Sequence, residues 1–145
     1  MNTTKHGWQA SDGQLSHSAP RWLTERSFRH GDIPAARQFT RAFGARAHLD
    51  PGRLSDLVLA VSEATASATA RGPGSARVRL WVTGARAYCE VRGDGLLTRR
   101  TPQGKRPRQD EEEALRHWVL QRIADYVSVA SGPDGAWVLL SMTVF

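Results

Sequence analysis

The sequence predicts an α+β fold: a two-layer sandwich in which three helices cover one face of a mostly antiparallel sheet. Three observations carry this. Apolar residues recur at spacings of three and four in three segments, they alternate with a period of two in others, and the alternating segments come in adjacent pairs. The order is strand, two helices, strand pair, loop, helix, strand pair. At 145 residues, 40% of them apolar and five of them Trp, the chain can fill one core and not two.

Met1–Pro20 is polar and without period, which predicts a disordered leader ahead of a domain spanning 21–145. Trp8 is its exception, able to dock on the core or on a partner. Arg21–His30 reads as the first strand, with Trp22, Leu23 and Phe28 as its apolar residues. Asp32 is placed to cap the first helix, with Pro34 in its first turn. Ala36, Phe39, Ala42 and Phe43 form the buried stripe of that helix, which ends near Ala47. Asp50-Pro51 opens the second helix, whose inner side carries Leu54, Leu57, Val58, Val61, Thr65 and Ala68. Its alanines let it lie close to a sheet or a ligand, and Gly72-Pro73-Gly74 stops it.

In Ala76–Val82, Val78, Leu80 and Val82 point one way and Arg77, Arg79 and Trp81 the other. Thr83-Gly84 turns the chain into a paired strand, Tyr88–Arg92. Leu96–Gln109, rich in Pro, Gly and Arg, reads as a mobile loop. Four acids, Asp110–Glu113, open the third helix, where its dipole favours them. Leu115, Trp118, Val119, Arg122, Ile123 and Tyr126 mark its inner face and edge. Val127–Ala130 and Ala136–Val144 then form a hairpin over Ser131–Gly135.

Composition excludes several classes. No apolar run approaches the length of a membrane span, and Met1–Gln14 has no apolar signal core. The lone Cys89 can make neither an internal disulfide nor a zinc site by itself, so a cytoplasmic location is expected. The net charge is +6, and all basic residues except Lys5 and Lys105 are arginine. Between Gly93 and Arg108 stand Arg99, Arg100, Lys105, Arg106 and Arg108 against one acid, Asp94. The excess is thus concentrated in one segment. No helix carries an arginine stripe, and aromatics do not interleave with basic residues, which argues against nucleic acid as partner. His6, His17, His30, His48 and His117 lack ligand spacing and read as surface residues. Cys89, mid-strand, reads as a small buried hydrophobe.

One stretch points further. Leu57-Val58-Leu59-Ala60-Val61-Ser62-Glu63-Ala64-Thr65-Ala66-Ser67-Ala68, followed by Arg71-Gly72, resembles the N-box helix of the histidine-kinase-like (GHKL) ATPases, closest to the small anti-sigma-factor serine kinases. Trp118–Asp125 and Ser131–Gly135 resemble the last helix and terminal hairpin of the same family. The resemblance covers about residues 22–145 and implies a Bergerat-type sandwich. It also implies roles. The N-box glutamate, here Glu63, acts as general base or water-positioner, and an asparagine four residues on ligates Mg²⁺. Residues at i and i+4 share a helix face. That asparagine falls on Ser67, whose hydroxyl is a weaker metal ligand.

The family's adenine-binding motif, Asp-x-Gly-x-Gly after a central strand, falls on Gly93-Asp94-Gly95-Leu96-Leu97, so the aspartate position is Gly93. A one-residue slip brings Asp94, with Gly95, into the role. The family's glycine-rich, phosphate-cradling turn falls on Asp110–His117, which has no glycine and four consecutive acids; Arg116 is the residue there able to meet a phosphate. Three boxes are altered. The reading favoured is therefore an anti-sigma-factor-like regulator of bacterial transcription that works by binding protein, a pseudokinase with ATP and Mg²⁺ binding weak or lost. The alternative is an active serine-protein kinase that binds ATP–Mg²⁺ and phosphorylates an anti-anti-sigma partner. A third reading is a small-molecule or nucleotide sensor that reuses the pocket. The partners implied are a sigma factor or an anti-anti-sigma-like protein, and a homodimer is compatible with the resemblance. Trp8, Trp22 and Trp81 are the candidates for a partly exposed apolar anchor.

Overall fold

The strand and helix periods resolve into eight elements in the expected order, in a computed structural model that describes residues 23–70, 74–93, 112–132 and 135–145. They are β1 (Thr24–Arg29), α1 (Ile33–Ala47), α2 (Pro51–Ala68), β2 (Ser75–Thr83), β3 (Arg86–Gly93), α3 (Glu112–Ile123), β4 (Tyr126–Gly132) and β5 (Gly135–Thr143). The sheet order is β1-β2-β3-β5-β4, and each neighbouring pair is antiparallel. The α+β sandwich is as the sequence predicts. The leader, the loop at 96–109 and the acids at 110 and 111 lie outside the described residues.

Alternation sorts the strands onto two faces. Val78 pairs with Val91, Leu80 with Cys89, Cys89 with Leu140 and Ala87 with Met142. These side chains, with Phe28, Ala76 and Val138, meet Phe43, Leu57, Val61 and Leu120 from the helices in one buried core. Ala60, Ala64 and Ala68 bring α2 down onto the sheet without leaving space for longer side chains. The opposite face carries Arg77, Arg79, Trp81, Tyr88, Glu90, Arg92, Trp137 and Leu139, and belongs to a separate cluster built around Trp81 and Leu139.

Four expectations need correction. Asp32 precedes α1 but its side chain does not cap that helix. Its carboxylate instead accepts the Arg29 N–H at 2.9 Å, because the chain turns sharply out of β1 and offers that donor first. In α3, the fully buried side chain is Leu120, while Arg122 is exposed and stacks over Trp118 at 4.8 Å. Tyr126 is not on the helix edge. It begins β4 and is exposed, because Asp125 breaks the helix by donating its N–H to the Ser141 carbonyl and accepting the Thr143 N–H. Trp81 points away from the core as alternation requires, yet it is buried, stacked on Tyr88 with centroids 5.4 Å apart. It is no exposed anchor; Trp8 and Trp22 lie outside the described residues.

Candidate functional site

The candidate site residues converge where α2 and α3 lie side by side on the sheet. Asp50 starts α2 by accepting the Arg53 N–H at 3.1 Å, and the helix then runs unbroken to Ala68. That continuity puts Glu63 and Ser67 one turn apart on the same face. Glu63 is half-buried and Ser67 is buried. From α3, Arg116 brings its Nε to 3.9 Å from Glu63 Oε1, so the two candidate residues face each other across the helix pair. At that length and partial exposure the pair is loose. It nevertheless sets a guanidinium against the carboxylate that would act on water.

The floor of this region is the end of β3. A Cβ added at Gly93 would lie 2.8 Å from Ala68 Cβ and 3.0 Å from the Ala68 carbonyl oxygen. Glycine is required there because α2 and β3 touch through their backbones. The position that matches the adenine aspartate therefore admits no side chain. Asp94 and Gly95 lie outside the described residues, so Glu63, Ser67 and Arg116 are the candidates brought together.

Sequence reasoning missed Glu90. It is fully buried on the outer face of β3, with Arg79 Nη1 at 3.5 Å and Arg92 Nε at 3.4 Å from its carboxylate oxygens. Arg79 in turn reaches Glu25 at 3.3 Å. Desolvation pushes the Glu90 carboxyl above its ordinary pKa, partly offset by Arg92 and Arg79. The signal available was the register: counting across the Thr83–Arg86 turn sets Glu90 opposite Arg79. On the inner face, Cys89 is fully buried. Burial, and secondarily the Glu90 charge, push its thiol far above the usual range, so it is no nucleophile.

Residues 27–142 match the histidine kinase-like ATPase domain family. The chain belongs to that family. Among solved structures that resemble this histidine kinase-like ATPase domain is the crystal structure of the RsbU and RsbW domains of Rv1364c from Mycobacterium tuberculosis. It superposes with a TM-score of 0.57 at 13% identity, over 83% of this chain and 32% of that one. The likeness is one of fold, and this chain spans about a third of the length of that protein. No curated protein matches the sequence.

The family implies ATP and Mg²⁺, and the described residues fit them poorly on two counts. A hydroxyl stands at Ser67 in place of an amide oxygen, and position 93 has no room for an acceptor side chain. Among the described residues, no three His, Cys, Asp or Glu side chains cluster to hold a metal. No helix among them is long and apolar enough to cross a membrane.

Proposed function

We propose that this histidine kinase-like ATPase domain is an anti-sigma-factor-like regulator in bacterial transcription control, acting by protein–protein binding with nucleotide binding weak or lost. The observation that carries the reading is the contact of Gly93 with Ala68, which leaves the adenine-acceptor position without room for a side chain. Ser67 adds to it, with a hydroxyl where the family's Mg²⁺-ligating asparagine would stand. If partner binding survives without nucleotide, its energy comes from protein surface, and aromatic and arginine side chains are the groups that supply it.

An ATP–Mg²⁺ titration tests this. A ligand at 100 times its dissociation constant stabilises by about 2.7 kcal/mol, a shift easily read in a melting curve. Millimolar ATP–Mg²⁺ is expected to leave the melting temperature nearly unchanged. A purified sigma factor or anti-anti-sigma protein identified as partner is expected to bind equally well with and without nucleotide. A saturable shift at micromolar ATP, or binding that requires ATP–Mg²⁺, overturns the reading. The active-kinase alternative is favoured by one feature, the one-turn spacing of Glu63 and Ser67 on α2. In that case Glu63→Ala abolishes phosphotransfer and leaves partner binding intact.

A further inference from the structure

The two edges of the sheet are built differently. β1 and β4 are its outer strands, and among the described residues neither has a neighbour on its far side. An edge strand carries a row of backbone N–H and C=O groups able to pair with another strand. Charged residues, proline or a bulge are the usual means of blunting it. β1 is blunted: Glu25, Arg26 and Arg29 stand within its six residues, all exposed. β4 is not. Tyr126–Gly132 contains no charged residue and no proline. It pairs one-to-one with β5 from Tyr126–Ser141 to Gly132–Gly135, so no bulge turns it aside.

The side chains of β4 are open as well. On the inner face Val127 and Val129 pack against the core yet stay half-buried. On the outer face Tyr126 is 54% exposed, and the next two side chains in its row are the small ones of Ser128 and Ala130. The strand thus offers backbone donors and acceptors, an unfinished apolar row on one face and a large side chain followed by small ones on the other. What fits it is an uncharged strand with apolar residues at alternate positions, and β4 itself has that sequence.

We infer that β4 pairs antiparallel with β4 of a second copy, joining two five-stranded sheets into one across a two-fold axis. An axis perpendicular to the sheet keeps inner side chains inner and outer ones outer. Centred on Ser128, the pairing sets Val127 of each copy against Val129 of the other, and Tyr126 against Ala130. Centred on Val129, it sets the two Val129 side chains together and Tyr126 against Gly132. In both registers the valines extend the core across the join, the tyrosine meets a small residue, and no charge of β4 meets its like. The same patch is used on both copies, so the contact closes at a dimer. A join of one strand pair is small, which makes the dimer weak and dependent on concentration. The inference goes beyond the anti-sigma reading and does not depend on it.

Sedimentation of the full chain over a concentration series reads the association, and hydrogen exchange in the same series locates it. The native chain is expected to pass from monomer to dimer as concentration rises. Exchange is expected to slow with it at alternate amides of Tyr126–Gly132, those whose N–H points away from β5, and to stay unchanged in Thr24–Arg29. The full-length variant Tyr126→Lys/Ser128→Lys blunts β4 as β1 is blunted, at two outer-face positions of the edge. Its dissociation constant is expected to rise on the order of a hundredfold, because like charges then crowd the axis. Unchanged protection of α2 amides shows that the variant is folded. A native chain that stays monomeric at millimolar concentration overturns the inference. So does a dimer whose slowed amides lie outside β4, and so does a folded variant that dimerises as the parent does. The exchange reading on the native chain stands even where the variant does not fold.

Discussion

Gly93, beside the candidate site, has no room for a side chain. Its neighbour across the helix–sheet contact is backbone and Cβ of Ala68, neither of which can swing aside as the tip of a long side chain would. Gly93→Ala is therefore expected to destabilise by about 1–3 kcal/mol, the usual cost of overpacking. Chemical denaturation checks this, and a Gly93→Ala protein as stable as the parent would show that α2 and β3 are not in contact at Ala68. The same contact separates two roles that sequence leaves merged. The family resemblance implies an adenine-acceptor position at Gly93, and its glycine is demanded by packing. Glu90 shows the converse: a carboxylate that reads as one more strand residue is buried, with its pKa raised by desolvation and two arginines as partners.

At the scale of elements, α2 is the one on which the site depends, and its start is set locally. The Asp50 carboxylate accepts the Arg53 N–H, Pro51 occupies the first turn, and the Asp50 N–H donates to the Val144 carbonyl at 2.9 Å. Asp50→Ala removes the cap and is expected to cost about 1 kcal/mol, read as a lowered denaturation midpoint with unchanged slope. A midpoint within error of the parent would mean that the tertiary bond to Val144 alone holds the helix start. α1 and α2 were both legible, because stripe and proline agree in each and, in α2, the cap residue does too. α3 was legible as a helix and less so in its facing. Its apolar residues Leu115, Trp118, Val119, Leu120 and Ile123 wrap around much of the circumference, so period alone does not single out Leu120 as the side chain that reaches the core.

For the molecule as a whole, Asp125 ties distant parts together. Its Oδ2 accepts the Thr143 N–H at 2.7 Å, Arg53 of α2 approaches to 3.7 Å and Arg86 of β3 to 3.8 Å. The backbone hydrogen bond first, and the two guanidinium groups after it, hold its carboxyl below the usual aspartate range. A depressed pKa in the folded state means the unfolded chain takes up the proton first. The stabilisation is thus complete above the ordinary aspartate pKa and is lost as pH falls through the folded value. Asp125→Asn is expected to lower stability at neutral pH and to flatten the acid limb of the stability–pH profile. Parallel acid limbs for the two proteins would exclude the linkage.

What the sequence by itself determined is what local periods encode. Alternation and helical stripes set the element types, their order, the inward face of each strand and the α+β class. The Glu63-x-x-x-Ser67 spacing set two site residues on one helix face, because a helix repeats every 3.6 residues whatever surrounds it. Only the tertiary structure decided what depends on which elements meet. That Arg116 faces Glu63 follows from α3 packing beside α2. That Gly93 has no room follows from the approach of α2 to β3. That Trp81 and Glu90 are buried on the outer face is a fact of the assembled chain, and no period along a strand records it. Burial on a sheet face is a sum over distant segments, and a strand's own residues specify only which way each side chain points.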